Sequence, residues 1–377
     1  MPDIIQRMID LAIQIQQIPA PTFHESKRAE FLRGLFEREG LKEVAIDEVG
    51  NVHGLLSKVA TLTDHPGAEK SNVKPLVISA HLDTVFPFEM DISVRRETGL
   101  LCGIGIGDNS MGVAALIGLI WLIRERKIEL KGDIWFVANV CEEGLGDLRG
   151  MKAIVDRYGE NVLAYLVLEG MALGHVYHRA VGVKRYRITV KTKGGHSWSD
   201  YGQMSAIHEL SKLVVQLTSL ELSKTPRTTM NVGKISGGTS VNVIAPEACL
   251  ELDLRSEGQI ALEKLIANVE KIIREAGKPG LRIEAEVIGA RPAGELDPDH
   301  PLIELAEDCV REQGLDAILT TGSTDANVPL SKGFPALVLG ITTGGGAHTK
   351  DEFIRTVPVV QGMEQLVSFV ERVWFAR

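Results

Sequence analysis

LVISAHLDTVFP, residues 76–87, is an apolar run that ends in polar side chains. Leu76, Val77 and Ile78 lack the alternation of a strand with one wet face, so the stretch predicts a strand covered on both sides, as in a parallel sheet. His81 and Asp83 follow at its end, two residues apart, so that both side chains leave the same face. Either one alone is an ordinary strand-end residue. Their meaning depends on whether other segments bring matching polar groups to the same edge.

Working outward, residues 2–17 have helical apolar spacing, 23–39 read as a highly charged helix, and a strand region lies near 43–56. TLTDHPGAEKSN (61–72) has the composition of an exposed loop. GLLCGIGIGDN (99–109) leads into an apolar helix at 111–124. Strands at 133–140 and 162–168 flank a helix at 147–158. This order predicts an α/β domain, a mostly parallel sheet with helices on both faces. The character changes near His178. KRYRITVKT (184–192), TTMNVGKISGG (228–238), EACLELDLRS (247–256) and LRIEAEVIG (281–289) alternate like half-exposed strands, with amphipathic helices at 204–220 and 259–276 between them. The order β-α-β-β-α-β predicts an inserted two-layer α+β domain of ferredoxin-like type. GARPAGELDPDHP (289–301) reads as its exit linker, followed by a helix at 300–314, a strand at 336–340 and a closing helix at 357–375. The expected organisation is a discontinuous α/β domain, 1–178 and 292–377, interrupted by a compact inserted α+β domain, 179–291.

The chain has 377 residues, 44% hydrophobic and 24% charged, with a formal charge of −9. An acidic chain with scattered cations does not suit a nucleic-acid backbone. Four widely spaced cysteines form neither a CxxC knuckle nor a disulfide framework, so reduced thiols and a cytoplasmic location are expected. The first segment carries polar residues within its apolar rhythm, so neither a signal peptide nor a membrane span is expected. GGTS and GGGAHT lack the lysine and spacing of a phosphate loop, and GDNSMG around Ser110 is not a nucleophile elbow.

Five carboxylates and two histidines fall at strand ends or in glycine-rich turns: Asp83, Asp108, Glu142, Glu143 and Glu169, with His81 and His348. Ligands of open α/β sheets collect at that edge. Singly, Asp108 could cap the helix that follows, Glu142 and Glu143 could be solvated acids, Glu169 could orient a turn, and His348 could be surface decoration. Together, the carboxylates would repel one another unless cations neutralised them.

HLDTV (81–85), GIGDNSMG (105–112), CEEGLGDLRG (141–150), LEG (168–170) and AHTKDE (347–352), in this order and with a domain inserted between the last two, resemble the M20 family of dinuclear zinc peptidases and amidohydrolases. The resemblance implies that His81 and Glu169 bind one metal, Glu143 and His348 the other, and that Asp108 bridges both. It implies Asp83 behind His81, and Glu142 as the general base that takes a proton from a metal-bridging water. Two divalent ions per chain are implied, zinc first, with cobalt or manganese compatible with mixed nitrogen and oxygen ligands. His196, in TKGGHSWSD (192–200), is implied to reach the active site of a partner subunit, making a homodimer through 179–291. Asn242 and Arg255 are expected on the substrate side, where an arginine could pair with a carboxylate, a surface ion pair being its plainer reading. Asp325, in TGSTDANVP (321–329), resembles the family's TDA segment and is expected to tie a substrate loop or cap its turn. The implied activity is exopeptidase hydrolysis of small peptides. The alternatives are hydrolysis of N-acyl amino acids by the same chemistry, and an inactive dimeric binding protein.

Overall fold

A computed structural model describes residues 2–58 and 73–376. The loop read at 61–72 lies outside the described residues. The chain divides into two units, Met1–Arg179 with Glu295–Arg377, and Ala180–Gly294.

In chain order, the first unit begins with α1 (Pro2–Gln16), α2 (Ser26–Arg38), β1 (Lys42–Ile46), β2 (Val52–Leu56) and β3 (Leu76–His81). It continues with β4 (Arg95–Glu97), β5 (Leu100–Cys102), α3 (Met111–Glu125), β6 (Ile134–Asn139), α4 (Arg149–Tyr158), β7 (Tyr165–Glu169) and β8 (His175–Ala180). The second unit comprises β9 (Gly182–Lys191), β10 (Gly195–His196), α5 (Ala206–Thr218), β11 (Thr228–Gly237), β12 (Val243–Ile244), β13 (Glu247–Ser256), α6 (Gln259–Glu275) and β14 (Arg282–Arg291). β15 (Gly294–Glu295), α7 (Pro301–Arg311), β16 (Ile318–Gly322), α8 (Asn327–Ser331), β17 (Ala336–Gly340), β18 (Gly344–Gly345), β19 (Phe353–Arg355) and α9 (Val359–Arg372) complete the chain.

The first unit is built on a sheet of order β1-β2-β6-β3-β7-β17-β8-β15, with β16 pairing β8. Its centre, β6-β3-β7-β17, is parallel, while β1, β2 and β8 join antiparallel. The sheet is therefore mixed, with the parallel part where the apolar runs fall. Every residue of β3 and β17 is buried, which follows from their continuous hydrophobicity. The segment Ile106–Glu125 is long and apolar enough to cross a membrane, but 89% of its most hydrophobic window is buried inside the fold. It contains α3, a core helix lying against β3, β7, α1 and α9.

The second unit is an antiparallel sheet of order β11-β13-β9-β14, its inward side chains packed with α5 and α6. β13 shows the alternation directly: Ala248, Leu250, Leu252 and Leu254 point to the core. They meet Tyr186, Ile188 and Val190 of β9, Leu210, Leu213 and Leu217 of α5, and Leu262, Leu265 and Val269 of α6.

The exit segment differs from a free linker. β14 continues to Arg291, and Gly294–Glu295 adds to the edge of the main sheet beside β8. Main-chain pairing there needs no apolar pattern, which is why composition reads as linker.

Candidate metal centre

Parallel strands deliver their carboxyl ends to one edge, and the polar residues identified above gather there. His81 is the last residue of β3 and Glu169 the last of β7; Glu142 and Glu143 follow the end of β6. Asp108 sits in the tight turn Ile106–Ser110 that enters α3, its peptide to Asn109 being cis. His348 lies in the loop after β18, at a φ of 65°.

One carboxylate joins two histidines. Asp108 Oδ1 is 3.1 Å from His81 Nε2, and Asp108 Oδ2 is 3.1 Å from His348 Nε2. His81 Nε2 also faces Glu169 Oε2 at 3.7 Å, and His348 Nε2 faces Glu143 Oε1 at 2.9 Å. The result is two triads, His81–Asp108–Glu169 and Asp108–Glu143–His348, each with ligand atoms within 4.8 Å of one another and with Asp108 common to both. Each triad offers one imidazole nitrogen and two carboxylate oxygens, a donor set that suits zinc, cobalt or manganese.

The electrostatics agree with a cation site. Burial alone would lower the His81 pKa, but Asp108, Asp83 and Glu169 outweigh it and hold the ring well above its usual value. Asp108 and Glu143 push His348 up to about 10. Asp108 itself is held below the carboxylate range, because its bonds to the two histidines overcome burial. Glu169 is raised by burial. Protons on the two rings here answer a concentration of negative charge that divalent cations would answer better.

The supports behind these groups are well defined. His81 Nδ1–H donates to the Asp83 main-chain carbonyl at 3.1 Å, which turns Nε2 inward. Asp83 is fully buried and accepts the main-chain N–H groups of Glu142 and Glu143, each at 2.9 Å, and the Thr22 hydroxyl at 3.0 Å. It therefore ties the end of β3 to the segment that carries both glutamates. Asn109 does the same for Glu169: its Nδ2 donates to the Leu168 carbonyl and its Oδ1 accepts from Gly170 N–H, both at 2.8 Å. Glycine is required at 170, where a Cβ would stand 2.2 Å from the Gly107 carbonyl oxygen.

Of the remaining expected residues, Glu142 follows the end of β6 beside Glu143 and is buried. His196 is exposed in the second unit, on a two-stranded ladder with β12. Its Nδ1 accepts from the N–H groups of Trp198 and Ser199 at 3.2 and 3.3 Å, an arrangement that places the ring proton of the neutral form on Nε2. Asn242 adjoins it, accepting Ser197 N–H on its carbonyl at 3.0 Å. Arg255 lies at the other end of β13 and pairs with Asp253, Nε to Oδ2 at 2.7 Å, the ion pair of its plainer reading. Asp325 is fully enclosed, and its Oδ2 accepts from Asn139 Nδ2 at 2.7 Å. Burial pushes its pKa up to about 7, against the pull of His81.

Several supports were missed. Glu25 and Arg28, read into a charged helix, are both buried. Glu25 accepts Cys141 N–H at 3.1 Å, just before Glu142, and Arg28 Nη1 donates to the Leu82 carbonyl at 2.6 Å. Burial lowers the Arg28 pKa to about 10. Glu352 accepts the N–H groups of Gly105, Gly107 and Asp108 at 2.8–2.9 Å. Burial raises it to about 7, against those three donors. Its signal stood in plain view, in the acidic pair closing AHTKDE.

Residues 77–375 match the model of peptidase family M20/M25/M40. The chain is 25% identical to an uncharacterised protein of Bacillus subtilis, YqjE, over 97% of this chain and 98% of that one. It is also 25% identical to a succinyl-diaminopimelate desuccinylase of Corynebacterium glutamicum, over 93% of this chain and 92% of the other. Among solved structures, a Staphylococcus aureus tripeptidase superposes with a TM-score of 0.82 at 22% identity, covering 98% of this chain and 99% of that one.

Proposed function

The chain belongs to peptidase family M20/M25/M40, and from that premise we propose that it is an exopeptidase that hydrolyses amide bonds in small peptides with two divalent cations. The observation that carries the reading is the Asp108 carboxylate divided between His81 and His348. His81, Asp108 and Glu169 would hold one cation; Asp108, Glu143 and His348 the other. Bound there, the cations supply Lewis-acid polarisation of the scissile carbonyl and acidify water, with zinc the expected metal and cobalt or manganese compatible.

The chain's own residues do the rest. Glu142 takes the proton of the attacking water and returns it to the departing amine. Its neighbour Glu143 is kept for the metal, because adjacent residues in an extended segment point to opposite sides. Asp83 fixes both by accepting their N–H groups, and holds the His81 ring through Nδ1. His196, in the second unit, would present Nε2–H as a donor to the carbonyl of a substrate held in the partner subunit's site as charge develops there. Asn242 and Arg255 are the substrate-side candidates, Arg255 being the one suited to a free carboxylate. The second unit would pair two copies into a homodimer, which the exposed edge strand β11 and the exposed Ile207, Val215, Ile235 and Val241 support.

A second reading has its own support. The similarity to a desuccinylase over nearly the whole chain favours N-acyl amino acids as substrates, with the same residues and chemistry. The fold of the Staphylococcus aureus tripeptidase supports the peptide reading. Metal analysis combined with hydrolysis of di- and tripeptides, N-acetyl and N-succinyl amino acids separates them. Peptide turnover with two metals per chain, lost in Glu142→Ala while metal is retained, is expected. Turnover confined to acylated amino acids would replace the substrate class. A filled site that cleaves no amide would favour a binding protein.

A further inference from the structure

Glu352 is four residues beyond His348, yet the two side chains have opposite surroundings: the histidine is half-exposed and the glutamate fully enclosed. Both carboxylate oxygens of Glu352 are occupied by main chain. Gly105 N–H donates to Oε2 at 2.8 Å, and Gly107 and Asp108 N–H donate to Oε1 at 2.8 and 2.9 Å. Its main-chain carbonyl accepts Gly103 N–H at 2.9 Å. The segment around it is equally fixed. The next residue, Phe353, pairs with Gly345 on one side and Cys102 on the other, so β19 lies between the strand leading to His348 and the strand leading to Asp108.

Glu352 therefore belongs to the His348 loop by sequence and to the Asp108 turn by its bonds. With its oxygens already taken by N–H groups, it is a support for ligands and not itself a ligand. Glutamine would not reproduce it, because an NH2 group would then face at least one of the three N–H donors.

We propose that Glu352 is a positioning residue that holds the Asp108 carboxylate in register with the His348 ring before any cation binds, and so sets the spacing of the two cation sites; this rests on the two-cation reading above. Because Asp108 serves both triads, the residue that fixes its turn governs both. Groups standing directly behind metal ligands typically influence affinity by about 10- to 100-fold.

The test uses the full chain stripped of metal. Cobalt(II) is titrated into the unaltered protein and into Glu352→Gln, following visible absorption for stoichiometry and affinity, with Tm and circular dichroism on the same apo preparations. Amide exchange of the unaltered apo protein is measured at Gly105, Gly107 and Asp108. The expected result is a folded Glu352→Gln protein whose cobalt affinity falls about 10- to 100-fold, and apo amides already protected at those three positions. A merely structural role would lower Tm and leave the cobalt affinity of the folded variant unchanged, which would overturn the proposal. If the variant does not fold, amide exchange decides: free exchange in the apo protein, with protection only after cobalt is added, overturns it. Failure of the unaltered protein to take up cobalt would sink the two-cation reading as well. Two equivalents bound with equal affinity by both proteins would sink only the role of Glu352.

Discussion

Replacing Asp83 with asparagine tests how the buried carboxylate at the end of β3 controls the two glutamates beyond β6. The substitution keeps the size of the side chain but turns one oxygen into an NH2 group. In either orientation that group faces a donor, since the two oxygens accept Glu142 N–H and Glu143 N–H separately, each at 2.9 Å. A hydrogen bond to a charged group contributes about 1.5–3 kcal/mol. Losing one at the segment that aims Glu142, the proposed general base, corresponds to a fall of about 10- to 150-fold in kcat, at roughly 1.4 kcal/mol per factor of ten. Asp83 is out of a substrate's reach, so KM should hardly change. The assay is kcat and KM on a cleaved dipeptide at saturating cobalt, with bound metal and Tm measured on the same preparation. Thr22→Val is the comparison: it removes a hydroxyl donor to the same carboxylate at 3.0 Å but leaves the charge and both N–H bonds, and less than about a tenfold loss is expected. A folded, fully metallated Asp83→Asn protein with unchanged kcat would refute the reasoning.

Three further outcomes follow from the same geometry. Gly170→Ala drives a Cβ to within 2.2 Å of the Gly107 carbonyl oxygen, beside both Asp108 and Glu169, and should cost at least about 1–3 kcal/mol in a urea melt and weaken cobalt uptake. Asp325→Ala should lower stability or kcat while KM stays the same, because the residue is enclosed; a large rise in KM alone would favour its tie to a substrate loop. Asp47 accepts from His53, Asn51 and main-chain N–H groups, which outweigh its burial and hold its pKa below the usual carboxylate range. Its folded value is depressed, so its stabilising contribution is complete above the unfolded value of about 4 and is lost as pH falls below it toward the folded value. Asp47→Asn should flatten that acid limb in urea midpoints taken from pH 7 to pH 3, and an unchanged limb would contradict the assignment.

The parts of the fold that were legible were those whose burial imposes a pattern. The apolar runs of β3 and β17 announce the parallel centre, and the alternation of EACLELDLRS announces a strand with one inward face. β8 and β16 were not foreseen: HVYHRA mixes aromatic, basic and small residues, and β16 is a short edge segment held mainly by main-chain bonds. Within the site, His81, Glu143 and Glu169 were legible because strand ends of one parallel sheet share an edge, and Asp108 and His348, in turns beyond β5 and β18, through the stretches GIGDNSMG and AHTKDE. Arg28 and Glu25 were not, because their charges suit a solvated helix equally well; only the tertiary fold shows that they satisfy main-chain groups beside Leu82 and Cys141. The enclosure of Asp325 beside Asn139 was not legible either, because its residue type fits a turn or a loop tie equally well.

The division of Asp108 between two histidines also bears on how such a centre can diverge. A substitution at 108 alters both sides simultaneously, so it offers no gradual route to a new metal preference. Glu169 and His81 belong to one triad only, and Glu143 and His348 to the other. Descendants of this chain would therefore be expected to explore new chemistry through those four positions, keeping the shared aspartate as the fixed point about which either half can vary.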